Sequence, residues 1–125
     1  MLFQPTIADV PAIAKLLRKK NDEIACDLPL FIIVKEDDAV IGCVRYCVIG
    51  DSTARIYNLH VRKDKRKVGY GDFLMREVAH EIGKFGIKKI TVYTSIPSFF
   101  GQYGFKRIRK GAGRSWSMVN DLYKN

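Results

Sequence analysis

The tightest constraint on the fold lies between Ser52 and Ile82, where the chain changes its hydrophobic period. "STARIYNLHVR" reads as a strand, whereas from Gly71 onward Leu74, Val78 and Ile82 recur every fourth residue, as on one helix face. Phe85 follows, and Gly86 supplies a stop. The two elements are joined by a basic turn holding Gly69 and Gly71. In such a turn the backbone N–H groups and the first unpaired donors of the helix can converge on a single anion. Glycine lets that backbone approach closely, and Arg62, Lys63, Lys65, Arg66 and Lys67 surround the position with positive charge.

The remaining segments supply partners for this unit. "TIADVPAIAKLLRKK" spaces Val10, Ile13, Ala14 and Leu17 helically behind Asp9, an N-cap candidate, with Pro11 in the first turn. "LFIIVKEDDAVIGCVRYCVIG" forms two apolar strands around the turn "EDD". "KKITVYTS" reads as a strand and "IPSFFGQY" as a short helix starting near Pro97. "GFKRI" and "SWSMVNDLY" close the chain as strands around the glycine-rich "KGAGR". The order α-β-β-β-α-β-α-β-β predicts an α/β (α+β) fold, a mixed sheet with helices against it, in a single domain spanning residues 1–125.

The chain has 125 residues, 47% of them apolar and 28% charged, enough for one packed core. Lysine and arginine outnumber the acids 22 to 13, for a formal charge of +9, so an anionic partner is expected: nucleic acid, an acidic surface or a phosphorylated small molecule. The N-terminal stretch lacks the pattern of a secretory signal, and no apolar run approaches the roughly 20 residues of a membrane span. A soluble, cytoplasmic protein without membrane association is expected. Cys26, Cys43 and Cys47 lack metal-ligand spacing and are read as buried free thiols; no metal site is expected.

The glycine turn is no Walker loop, because G-x-x-x-x-G-K-[ST] is absent, and it does not follow the first strand of a βαβ unit as a dinucleotide fingerprint does. With its flanks it resembles the acetyl-CoA signature of the GNAT acetyltransferases: a strand ending L-x-V, four residues, then [RQ]-x-x-G-x-[GA] opening a helix. Leu59, Val61, Arg66, Gly69 and Gly71 fill every position. The second landmark, an aromatic pair followed by GF, is similar to "FFGQYGF" with Phe99, Phe100, Gly104 and Phe105. Within that family, "FIIVKEDDAVIGC" and "ITVYTSIPSFFGQYGF" look like the acetyltransferase module of N-acetylglutamate synthases. The resemblance implies a GNAT-like mixed, mostly antiparallel sheet flanked by helices. It also implies acetyl-CoA as donor, with the backbone from Lys67 through Val68, Gly69, Tyr70 and Gly71 to Asp72 on the pyrophosphate. Leu59 and Val61 would then lie along the pantetheine arm, and the basic run would face the phosphates.

Many members of that family place a glutamate base four residues before the leucine of L-x-V and a tyrosine acid second in the aromatic pair. Those positions are Arg55 and Phe100 in this chain. An α-amine with pKa about 7.7 to 8.0 is substantially neutral near pH 7 without a base, whereas a lysine amine near 10.4 is not. The acceptor expected is therefore a primary α-amine of an amino acid or peptide. Strand alternation groups Arg55, Tyr57, Leu59 and Val61 on one face and Ile56, Asn58 and His60 on the other. Arg55 can fork a substrate carboxylate, Tyr57 can relay a proton through water, and Tyr103 can replace the missing acid. His60, on the opposite face, reads as a packed or surface histidine. The "RIRKGAGRS" segment reads as a basic loop. The partners expected are acetyl-CoA and an amine acceptor, and a homodimer is left open. Two other readings stand beside this one: a GNAT-like module that binds acetyl-CoA without catalysis, and a small basic nucleic-acid-binding protein. The last ranks lowest, because no aromatic is interleaved with the cations from Lys63 to Lys67.

Overall fold

A computed structural model of the chain describes residues 2–121, and the backbone groups into two compact units. The first comprises Met1–Tyr46 with Asn58–Glu81, the second Cys47–Tyr57 with Ile82–Asn125. Helices α1 (Val10–Leu17), α2 (Asn21–Cys26) and α3 (Tyr70–Gly83) accompany strands β1 (Leu2–Phe3), β2 (Phe31–Glu36), β3 (Ala39–Ile49) and β4 (Thr53–Val61). Strand β5 (Lys89–Thr94), helix α4 (Pro97–Gly101) and strands β6 (Lys106–Lys110) and β7 (Trp116–Asp121) follow. Strands β3 and β4 and helix α3 each contribute residues to both units.

In the first unit the strand order is β1-β2-β3-β4, with β1–β2 and β2–β3 antiparallel. The hairpin between β2 and β3 turns on Asp37 and Asp38, both left-handed at φ 50° and 65°. Aspartate tolerates that conformation through local hydrogen bonding, which is how a two-residue turn forms without Asn-Gly. Four successive β2 residues, Phe31 to Val34, are buried, so both faces of the strand are covered. Phe31, Ile33 and Cys43 pack with Val10, Ile13 and Ala14 of α1 and Ile24 of α2. Each fully buried aliphatic side chain of this kind contributes about 1.5–3 kcal/mol. Against Gly42 of β3 lies Leu74 of α3: a Cβ there would stand 3.1 Å from Leu74 Cδ1, 3.0 Å from Val34 Cγ1 and 3.2 Å from the His60 carbonyl.

Asp9 precedes α1 as expected, but its carboxylate turns back. It accepts the Thr6 N–H at 2.8 Å and pairs with Lys35 Nζ at 2.9 Å while buried. Those contacts outweigh the desolvation of the group and hold its pKa below the usual carboxylate range.

In the second unit the order is β4-β5-β7-β6. Strand β4 runs parallel to β5 from Thr53↔Lys89 to Ile56↔Val92, and β7 lies antiparallel to both β5 and β6. Phe100 is buried edge-on against Phe99 and Phe105, with ring centroids 5.2 and 5.4 Å away. Gly111 carries the loop over Tyr93: a Cβ there would collide with the phenol ring, whose oxygen accepts the Ala112 N–H at 3.1 Å.

Two elements escaped the sequence reading. Strand β1 is only Leu2–Phe3, too short for a periodicity, and α2 formed within a stretch read as plain connection. Phe85 lies beyond α3 and is exposed, not part of its apolar face. Of the cysteines Cys43 alone is buried, and burial pushes its thiol up to about 12; Cys47 is half-buried and Cys26 exposed. The first four residues of the basic stretch read as a loop, Arg107 to Lys110, belong to strand β6, and Leu122 and Tyr123 of the last strand reading lie outside the described residues.

Candidate coenzyme site

The expected coenzyme residues, Leu59, Val61 and Arg66 to Asp72, all belong to the first unit. Strand β4 ends at Val61, a 3-10 turn covers Lys63–Lys65, and α3 begins at Tyr70. Between them Lys67 and Gly69 both take positive φ, 67° and 101°. Alternating left-handed residues are how a short loop turns successive N–H groups toward one anion. A Cβ on Gly69 would meet nothing within 4 Å, so the outer side of the turn is clear of protein. The Phe73 N–H reaches the Gly69 carbonyl at 3.1 Å, which makes Gly69 the residue from which the helix starts. The N–H groups of the first helical turn beyond it lack acceptors within the helix. This cradle fits a phosphate-bearing ligand.

The cations of the turn do not act alike. Arg62 grips Asp64 through two bonds of 2.6 and 3.1 Å, and Lys65 donates to Glu36 Oε1 at 2.5 Å. Arg66 Nε donates to the Val61 carbonyl at 2.8 Å, tying the turn back to the strand, and its Nη2 lies 3.4 Å from His60 Nε2. Lys63 and Lys67 form no ion pair with the described residues. The positive field expected from the whole run is therefore partly cancelled within the protein. His60 is half-buried; desolvation, then the charges of Arg66 and Arg18, hold its imidazole below the usual histidine range.

Sequence reasoning missed Glu36. Its carboxylate also accepts the Tyr70 hydroxyl, and the hydrogen bonds from Lys65 and Tyr70 hold its pKa below the ordinary value. The same contact raises the Tyr70 phenol. The acidic "EDD" and the basic run were both visible, but no local rule pairs segments so far apart.

Strand alternation fails at Asn58, which is left-handed at φ 56° in mid-strand. The extended backbone on which strand alternation rests is interrupted at this residue. Arg45 holds the Asn58 side chain, donating from Nε to Asn58 Oδ1 at 3.1 Å and from Nη1 to Asp27 at 3.0 Å. Arg55, Tyr57 and Tyr103 belong to the second unit. Arg55 is exposed and donates from Nε to its cross-strand neighbour Thr91 at 3.1 Å. Tyr57 is half-buried, and the Tyr103 ring lies 5.3 Å from that of Phe99. Phe100, in the position of the family's tyrosine, is core.

Among the described residues no group of three or more His, Cys, Asp or Glu could hold a metal, and no helix is long and apolar enough to cross a membrane.

A strand ending L-x-V, a left-handed glycine turn and a helix starting from it follow one another here, and the family of the chain is shown by its likeness to known proteins. Residues 27–107 match the model of the acetyltransferase (GNAT) domain, and the chain belongs to that family. An amino-acid acetyltransferase of Aeromonas salmonicida (strain A449) is 26% identical over 81 residues, 64% of this chain and 18% of that protein. The N-acetylglutamate synthase of Neisseria gonorrhoeae, solved with coenzyme A and N-acetyl-glutamate, superposes with a TM-score of 0.89 at 19% identity, over 99% of this chain and 35% of that one. The PaiA N-acetyltransferase of Thermoplasma acidophilum, solved with coenzyme A, gives 0.86 at 16% identity over 97% of this chain and 98% of that one. The GNAT-like sheet flanked by helices is thus the fold. The chain spans about a fifth of the length of the curated relative and a third of the synthase chain.

Proposed function

We propose that this chain is an acetyl-CoA-dependent N-acetyltransferase whose acceptor is a primary amine, preferably the α-amine of an amino acid or peptide. The observation that carries the reading is the turn from Arg66 to Gly71, with its left-handed Lys67 and Gly69, at the start of α3 in a chain of the GNAT family. Acetyl-CoA supplies a thioester that an amine can attack, releasing a thiol of pKa near 8.5. The turn's N–H groups hold the pyrophosphate, and Arg66, anchored on the Val61 carbonyl, keeps the turn against the strand. Orientation of this kind can be worth roughly 7 to 11 kcal/mol. With Arg55 in the position of the family's base and Phe100 buried, an amine already neutral near pH 7 is the acceptor that such a site serves best. Arg55 is assigned to a substrate carboxylate, Tyr57 and Tyr103 to proton relay. Arg55 commits Nε to Thr91, which orients the outer edge of the guanidinium.

The test is an acetyl-transfer screen of amino acids, peptides, polyamines and aminoglycosides. Turnover of α-amines by the wild type, with a raised KM for carboxylate-bearing acceptors in Arg55→Ala and unchanged coenzyme affinity, supports the assignment. Equal kinetics in the two proteins would remove Arg55 from the site. Tight acetyl-CoA binding with no turnover of any acceptor would leave a coenzyme-binding module without catalysis.

A further inference from the structure

We propose that Glu36 is a positioning residue for the coenzyme turn: its one carboxylate holds Lys65 on the strand side and Tyr70 on the helix side, fixing the backbone between them. The inference rests on the coenzyme reading above. Lys65 and Tyr70 bracket Arg66 to Gly69, the segment that contains both left-handed residues. Each is tied to a different oxygen of the same group, Lys65 Nζ to Oε1 at 2.5 Å and the Tyr70 hydroxyl to Oε2. Glu36 is itself placed by the sheet, since it ends β2 and pairs with Ala39 across the hairpin turn. A loop of this length would otherwise sample many backbone states, at about 1–2 kcal/mol per residue to order, and lysine gains nothing from a left-handed φ. Bracing the turn before the ligand arrives removes part of that cost from binding.

The rival account gives the opposite sign. As a mere negative charge near a phosphate site, Glu36 would weaken anion binding, and removing it would tighten coenzyme A. As a brace, it would strengthen binding in spite of its charge.

The experiment titrates coenzyme A by calorimetry into the wild type, Glu36→Ala, Tyr70→Phe and the double variant, and follows amide hydrogen exchange without ligand. The expected result is a roughly three- to tenfold loss of affinity in Glu36→Ala, a smaller loss in Tyr70→Phe, and no further loss in the double variant. Exchange should quicken at residues 66–72 while the β2–β3 ladder keeps its protection. Equal or tighter coenzyme binding by Glu36→Ala would overturn the proposal, as would unchanged exchange in the turn or exchange that quickens throughout the chain. A wild type that binds no coenzyme A would overturn the coenzyme reading instead, and the exchange data would still decide whether Glu36 braces the turn.

Discussion

His60 and Gly69 carry the clearest consequences at the scale of single residues. His60 is half-buried beside Arg66 and Arg18, and desolvation and then those charges hold its imidazole below the ordinary histidine range in the folded chain. Well above the ordinary histidine value of about 6.5 both folded and unfolded chains leave it neutral, and it adds no pH dependence. As pH falls below 6.5 the unfolded chain takes up a proton that the folded chain refuses, so stability declines until the folded pKa is passed. Urea midpoints measured across this range should fall more steeply for the wild type than for His60→Gln. Identical slopes would show that the histidine senses neither burial nor the two arginines. Gly69 takes a φ of 101°, which a β-branched residue adopts only with strain of order 1–3 kcal/mol. Gly69→Val should therefore be less stable and bind coenzyme A markedly more weakly. Unchanged affinity in the folded variant, read by calorimetry, would displace the pyrophosphate from this turn.

Among the elements, α3 matters most, because the turn proposed to hold the coenzyme is its leading end and its apolar side sets where that end lies. Leu74, Met75 and Val78 are buried, and Leu74 reaches the Gly42 position of β3 closely enough to exclude a further methyl group without adjustment. Leu74→Ala should cost about 2–5 kcal/mol, the range for a large-to-small change in a core. Gly42→Ala should cost about 1–3 kcal/mol by overpacking, since one of its three neighbours is the His60 backbone, which cannot rotate away. Both are measured by chemical denaturation, and a neutral Gly42→Ala would mean that Val34 and Leu74 yield freely. The helix itself was legible from the four-residue recurrence of Leu74, Val78 and Ile82; its tight seat over a glycine was not. Spacing reports which residues face inward, not how near the partner strand comes.

For the whole molecule the dominant quantity is charge. A formal +9 favours anionic partners, yet Arg62 is paired with Asp64 in the turn and Lys65 with Glu36 of β2, while Lys63, Arg66 and Lys67 form no ion pair with the described residues. Coenzyme affinity should weaken with salt between about 0.01 and 1 M, as the screening length falls from roughly 30 to 3 Å. Dephospho-coenzyme A should bind less tightly, and Lys67→Met should flatten the salt dependence more than Arg62→Met. Calorimetry at several ionic strengths checks this, and a salt-independent affinity would remove the basic run from recognition. A nucleic acid that binds far better than coenzyme A at physiological salt would revive the nucleic-acid reading. Trp116 has cations at hand, Arg107 and Lys110 lying 5.1 and 5.6 Å from its ring.

What the sequence alone determined is local. The glycines of the turn, the periods of α1 and α3, the hairpin around Asp37 and Asp38, and the L-x-V to G-x-G pattern depend on residues a few positions apart. Torsional preference and side-chain spacing act at that range. The tertiary structure decided the pairings. Glu36 meets Lys65 and Tyr70, Arg45 joins Asp27 to Asn58, and Arg66 turns to His60. Each of these joins residues from separate elements or across a turn, and which acid meets which cation follows from the register of β2 on β3 and the shape of the loop. The left-handed conformation of Asn58 is of the same kind. Nothing in "RIYNLHV" announces a left-handed residue; asparagine can take that conformation at low cost, and only here does Arg45 arrive on its side chain to hold it. The chemistry legible in the chain is therefore that of its turns, and the chemistry that only folding supplied is that of its long-range partners.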